Sequence, residues 1–422
     1  MPSENASDRA HLMKIAVALA GWLTLGSAAL SEPLLEKTNI FSAGEGAYAL
    51  YRIPGIVATT EGTLLAYCEA RHNSHKKAGA DWARIDVLMR RSENGGRTWG
   101  PPTKLVMPPD DFPLNPVSIA QDLARPGEVT VNNAVAIVDW ETSAVHFVYC
   151  IEYARCYYVR SDDDGLTFSD PVDITGTFDA FRAEYDWKVI APGPGHGIQL
   201  STGRLLVPVW LSEGTGSGAH RPSVVSVIYS DNHGRTWGRG EIVVAPPPLK
   251  NPSETVAVEL ADGRVMLNLR HETFLRETRQ RLRAVSISPG GVGRWSPVQF
   301  DEQLPESVCM ASILRLSKLP EHDKNRILFA NPHNPETMER KNLAVKLTYD
   351  DGETWPVMKV IEPGRSGYCD LAAGPDGTIY CFYERGSFGG SHMNTAHLCV
   401  ARFNLEWLTD GRDRFGHNLP HS

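Results

Sequence analysis

Arg52 stands among apolar residues in Tyr51-Arg52-Ile53-Pro54. Burying its neighbours obliges the guanidinium either to take a carboxylate partner in the core or to face a central opening. Both readings stay open from these residues alone. Arg270 closes the run from Val265, and Arg340 precedes the run Asn342 to Leu347, so each of the three stands at a strand entry or exit. Three guanidiniums brought to one point would hold a carboxylate in both charge and orientation, because each planar fork of donors matches it. The runs Asn251 to Leu260 and Val265 to Arg270 flank Asp262-Gly263, a turn that joins antiparallel strands. Glu254 and Arg270, far from that turn, should therefore be neighbours; an ordinary cross-strand ion pair is the plainer alternative. Tyr368 occupies the same place relative to the turn Asp376-Gly377, where a tyrosine is more often packing than chemistry. Asp81 follows the loop Asn73 to Ala80 and precedes Trp82. Partial desolvation there would let a carboxyl keep its proton and act as a general acid. A surface turn is the other reading, and Asp86, inside an alternating strand, is the second choice.

The elements that must position these residues are repeats. Ser230 to Trp237 reads Ser-x-Asn-x-Gly-x-Thr-Trp, and the pattern returns at Ser92 to Trp99, Ser161 to Phe168 and Thr348 to Trp355. In each copy the side chain of Asn94, Asp163, Asn232 or Asp350 can bond its own turn, the glycine two places on supplies a positive φ, and the aromatic buries between strands. The first three copies are about 69 positions apart, the size of one four-stranded propeller blade. The gap from Ser230 to Thr348 is nearly double, so a decayed copy is expected to end at Trp295. The expected fold is all-β: a six-bladed β-propeller of four-stranded antiparallel blades, forming a single domain over residues 32–422.

Composition narrows the function. A net charge of −8 without a basic block argues against a nucleic-acid partner. Met13-Lys14, an apolar run from Ile15 to Leu25 and small residues after it have the layout of an export signal within residues 1–31, too short to span a bilayer comfortably. This implies a secreted or periplasmic protein with no transmembrane segment in the mature chain. Of seven cysteines, Cys150 and Cys156 are near enough in sequence to bridge after export, whereas the others occupy strand-like apolar settings. No Cys or His spacing suits zinc, and no metal or cofactor is expected. The Gly-rich Gly193 to Leu200 lets backbone approach closely but lacks the signature of a phosphate loop.

Taken in order, the Tyr51-Arg52-Ile53-Pro54 signature, the repeated turns, the Glu254-hairpin-Arg270 unit, Arg340 before the fourth turn and the entry at Tyr368 closely resemble the bacterial-type exo-α-sialidases with Asp-box repeats. The resemblance runs from Tyr51 to Glu384. It implies that Arg52, Arg270 and Arg340 form the triad on the sialic acid carboxylate, that Tyr368 is the nucleophile with Glu254 as its base, and that Asp81 is the acid/base. Arg71 would lie on the ring-hydroxyl side, and Asn133 is a further polar contact. Arg340, rather than Arg365, has the position of the third arginine relative to the fourth turn. The implied partner is a sialylated glycan. A sugar-binding propeller without turnover, and a transglycosidase or an enzyme for a related nonulosonic acid, are the alternatives.

Overall fold

The computed structural model describes residues 32–109, 111–243, 249–275, 281–337, 339–390 and 394–416. The segment 1–31, where an export signal is expected, lies outside them. The described residues from Pro33 to Gly416 pack as one compact unit.

Six antiparallel sheets follow one another along the chain. The first is Leu50–Ala58, Leu64–Arg71, Ile85–Ser92 and Thr103–Lys104, and the second is Val131–Val138, Val145–Ile151, Arg155–Ser161 and Val172–Asp173. Val189–Pro192 and Ile198–Gln199 open the third sheet, which continues through Leu205–Ser212, Ser223–Ser230 and Gly238–Arg239. Between those two short pieces, Gly195–His196 crosses to pair in parallel with the first strand of the second sheet. The fourth runs Thr255–Glu259, Val265–Leu269, Leu282–Ser288 and Gln299–Pro305. The fifth is Ser312–Ser317, Arg326–Pro332 and Lys341–Thr348, completed by the start of the 17-residue strand Val357–Ala373. That strand's second half opens the sixth sheet, which continues through Ile379–Arg385 and His397–Phe403. The sixth sheet takes its outermost strand from the other end of the domain: Leu35–Ser42 pairs with His397–Phe403, from Leu35 opposite Phe403 to Ser42 opposite His397. Inner strands of successive sheets touch, and the first strand of sheet one touches the strands of sheet six, so the ring closes. This is a propeller, in which radial repetition leaves the inner strands only short, protected edges.

The repeated turns join third and fourth strands. In the copy at Ser230, the serine hydroxyl accepts from the Gly234 N–H at 2.9 Å and Asn232 Oδ1 accepts from the Thr236 N–H at 2.9 Å. The other copies repeat these bonds, with Asp163 to Thr167 at 2.8 Å and Asp350 to Thr354 at 2.9 Å. Asn94 makes the same bond to Thr98 at 2.9 Å, so an amide serves as well as a carboxylate. The decayed copy keeps the hydroxyl bond, Gly291 N–H to Ser288 at 3.0 Å. Sheet six has no such turn because its fourth strand comes from the start of the domain.

In three copies the residue before the box glycine, a position with no constraint in the sequence pattern, reaches the preceding blade; in the first copy it is Gly95. Asp164 accepts from Thr63 at 2.5 Å and Arg91 at 3.0 Å, His233 bonds Asp139 at 2.8 Å, and Asp351 accepts from the Ala261 N–H at 2.8 Å. All seven cysteines are buried thiols. Cys150 and Cys156 face each other across neighbouring strands, but as thiols rather than as a bridge.

Candidate functional site

The site lies at the strand ends opposite the box turns, and bulges aim its residues. Register slips between Arg52 and Gly55 in blade one and between Ser366 and Cys369 in blade six, and a bulge turns a side chain out of the regular alternation. Ile53 takes φ 58, a conformation that β-branched residues avoid. It packs with Tyr368, Cys309 and Met310. Two bulges in different blades thus bring Arg52 and Tyr368 to the same point near the axis.

Tyr368 is the centre of the group, 5% exposed. Its hydroxyl donates to Glu254 Oε1 at 2.5 Å and accepts from Arg270 Nη1 at 2.6 Å. Arg270 also donates to the second oxygen of Glu254, and their backbones pair at 3.2 Å, as ends of one hairpin must. The guanidinium carbons of Arg340, Arg52 and Arg270 lie 5.2, 5.3 and 5.9 Å from the centre of the Tyr368 ring. Three cations therefore surround one phenol. Burial pushes that phenol well above its ordinary range; the arginines pull it down and Glu254 raises it again. At rest it is neutral.

Arg52 satisfies both readings of its sequence. It is buried against Glu384, with bonds of 2.9 and 3.3 Å, and it also faces Tyr368. Glu384 accepts in addition from the N–H groups of Ile53 at 3.3 Å and Tyr368 at 3.2 Å, tying both bulges to one carboxylate. Arg340 is oriented by the Val308 carbonyl at 2.6 Å. Arg365 instead faces Glu339 at 3.9 Å with 30% of its side chain exposed.

Asp81 has 49% of its side chain exposed and meets Arg71 at 2.6 Å. Burial raises its carboxyl, but Arg71 and then Arg52 more than offset this and hold it below the usual carboxylate range. The Arg71 side chain is 2% exposed. Its donors are engaged by Glu69, Gly79 and Asp81, so what it offers the site is its hold on Asp81. Asn133 is turned inward, its N–H on Glu69 at 2.9 Å and its amide on the Pro192 carbonyl at 3.2 Å. Asp86 belongs to another group, with Tyr48 at 2.8 Å, Lys104 at 2.9 Å and His72 at 3.3 Å. His220 walls the Asp81 side, packed on Trp82, Tyr153 and Trp210 with ring centres 5.9, 5.0 and 5.2 Å away.

Glu384, Glu69 and His220 escaped the sequence reading. Glu69 and Glu384 were visible as acids ending apolar runs, but their partners were not, since Arg52 and Glu384 are 332 positions apart. Among the described residues no group of three or more His, Cys, Asp or Glu is arranged to hold a metal ion. No helix there is long and apolar enough to cross a membrane.

Residues 129–381 match the family described as BNR repeat-like domain. The sialidase of Micromonospora viridifaciens is 30% identical over 410 residues, covering 89% of this chain and 55% of that protein. An exo-alpha-sialidase of Aspergillus fumigatus is 26% identical over 416 residues, covering 90% and 91%. The chain spans 55% and 61% of the length of its relatives from Micromonospora viridifaciens and Bacteroides fragilis. Among solved structures, a Hadza microbial sialidase superposes with a TM-score of 0.69 at 24% identity, over 88% of this chain and 69% of that one. The intramolecular trans-sialidase from Ruminococcus gnavus gives 0.66 at 20% identity, over 88% and 98%. At these identities the structures speak to the fold.

Proposed function

Because the chain belongs to the BNR repeat-like family, we propose that it is a retaining exo-α-sialidase, a glycosidase that releases terminal α-linked sialic acid from glycoconjugates. The observation that carries this reading is the Tyr368 hydroxyl 2.5 Å from Glu254 with three guanidiniums around its ring. Sialidase relatives over most of the chain support it.

The residue types suit this chemistry. The anomeric carbon of a sialoside already bears a carboxylate, so an anionic nucleophile would be repelled at close range. A neutral phenol whose proton passes to a neighbouring carboxylate avoids that repulsion. Arg52, Arg270 and Arg340 hold the substrate carboxylate. Arg270 Nε is buried and has no protein partner, which leaves a donor for such a ligand. Tyr368 Oη attacks the anomeric carbon as Glu254 takes its proton, and the carbon–oxygen bond to the aglycone breaks. Asp81, a carboxylate in the free site, takes up a proton from solvent once the substrate carboxylate has neutralised Arg52, and gives it to the departing oxygen. In the second step Asp81, now a carboxylate, takes a proton from water, the water oxygen attacks the anomeric carbon, and Tyr368 leaves and recovers its proton from Glu254. Two displacements give net retention.

The test is release of fluorophore from a fluorogenic α-sialoside by the purified chain, with Tyr368→Phe alongside. A folded parent that binds sialic acid and releases nothing would favour a lectin-like propeller. Product analysis with and without an acceptor sugar separates hydrolysis from transfer. Export is part of the same proposal, on the pattern of Met13 to Ala29; N-terminal sequencing of protein recovered outside the cytoplasm tests it.

A further inference from the structure

We propose that Glu69 is a positioning residue for the acid step: by sharing the Arg71 guanidinium with Asp81, it limits how firmly Asp81 is held as a carboxylate and so allows Asp81 to carry a proton to the leaving oxygen. This rests on the sialidase reading above.

The geometry is that of two carboxylates dividing one cation. Arg71 Nε and Nη2 both donate to Glu69 Oε2, at 2.9 and 2.6 Å. Only Nη1 turns toward Asp81, at 2.6 Å, and it is shared there with the Gly79 carbonyl at 3.0 Å. Two of the guanidinium's nitrogens are thus committed to one oxygen of Glu69 and one to Asp81. Glu69 is itself fixed from a second blade, because its Oε1 accepts from the Asn133 N–H at 2.9 Å. Asn133 can present that N–H because the register of blade two slips between Asn132 and Val135.

A general acid beside an arginine faces a contradiction, since the cation favours the form that has already lost its proton. The charged and titratable groups around Asp81 are Arg71, Arg52 and His220, with Glu69 and Tyr153 near enough for the Asp81 charge to raise both. Bound substrate places a carboxylate on Arg52 and removes that cation's pull. Arg71 remains, and Glu69 is the group that counters it. In the step concerned, the Asp81 O–H bond breaks, its proton joins the glycosidic oxygen, and the electron pair of the breaking carbon–oxygen bond stays on that oxygen.

The experiment compares kcat/KM of the parent, Glu69→Gln and Glu69→Asp from about pH 4 to about pH 8 on two substrates, general-acid assistance mattering for only one of them. A nitrophenyl sialoside has a leaving group that departs without help; sialyllactose has a sugar hydroxyl that needs the proton. Glu69→Gln is expected to lower kcat/KM on sialyllactose by about tenfold or more beyond any effect on the nitrophenyl substrate. The excess loss should grow as pH rises, and Glu69→Asp should recover most of it. Equal loss on both substrates at every pH, which a merely structural role would produce, overturns the proposal, as does an unchanged ratio. Should Glu69→Gln not fold, Glu69→Asp carries the test: a smaller shift of the ratio in the same direction supports it, and an unshifted ratio overturns it. A parent that cleaves neither sialoside overturns the sialidase reading and this inference with it, whereas a parent that cleaves both isolates the question of Glu69.

Discussion

At one end of the blades, the turn from Ser230 to Trp237 closes on itself, with bonds from Ser230 to Gly234 and from Asn232 to Thr236, each spanning four positions. At the other end, Tyr368 meets Glu254 from 114 positions away and Arg52 meets Glu384 from 332. The turns are local, repeated and built to stabilise. The site is assembled once, from blades one, four, five and six, and exists only when the ring has closed. Damage to a turn should therefore cost stability and spare chemistry, whereas damage at the site should do the reverse.

The strongest way to break this comparison is Tyr368→Phe, which keeps the ring and removes the hydroxyl. It should lower kcat/KM on a fluorogenic sialoside by roughly 10³-fold or more with an unchanged thermal midpoint. Retained turnover would take the nucleophile away from Tyr368. Next, Arg340→Ala should cost on the order of 10²-fold in kcat/KM through lost carboxylate binding. Arg365→Ala should stay within about threefold, because exposed charges of that kind contribute little. The reverse order would move the third arginine to position 365.

A pH test sharpens the comparison at a buried carboxyl outside both regions. Burial pushes Glu152 up to about 7, against the pull of the Thr130 and Asn115 N–H groups. Its folded value lies above its unfolded one, so the protein loses stability as pH rises from about 4.5 through about 7, by up to the order of 3 kcal/mol. Glu152→Gln should flatten the dependence of Tm on pH across that window. A parent and variant with parallel slopes would show that Glu152 does not titrate there. The smallest effects belong to the turns. Gly234 has φ 78, and an added Cβ would lie 2.3 Å from the Tyr158 hydroxyl, so Gly234→Ala should cost about 2 kcal/mol by denaturant unfolding. At Gly352 the nearest contact is the flexible end of Met266 at 3.2 Å, so Gly352→Ala should cost about 1 kcal/mol. Both should hydrolyse sialosides at the parent rate; a large loss of kcat from either would mean the two ends are coupled.

The same contrast separates what could be read from the chain and what could not. The box turns were legible because an acceptor, a glycine and a hydroxyl lie within one short window, and their spacing gave the blade size. The interblade bonds of Asp164, His233 and Asp351 were not, since these residues occupy the position the pattern leaves free. Glu254 and Arg270 could be paired by counting from Asp262-Gly263, because a tight turn, here the three residues between Leu260 and Arg264, sets the register. Glu384 could not be joined to Arg52 by any count, as no local geometry connects the last blade with the first.

Residue types and local spacing alone determined an all-β repeat, its turns, and arginines at strand ends suited to a carboxylate; the anionic sugar and the role of Tyr368 came from the family resemblance. Tertiary structure decided how those groups are held. Bulges that show no sequence signature aim Arg52 and Tyr368, one buried carboxylate ties both, and Glu69 divides Arg71 with Asp81. The physical reason is range. Turn chemistry is set by dihedral angles and hydrogen bonds within a few residues, whereas the charge state of a buried group is set by whichever distant groups the closed ring brings within a few ångströms.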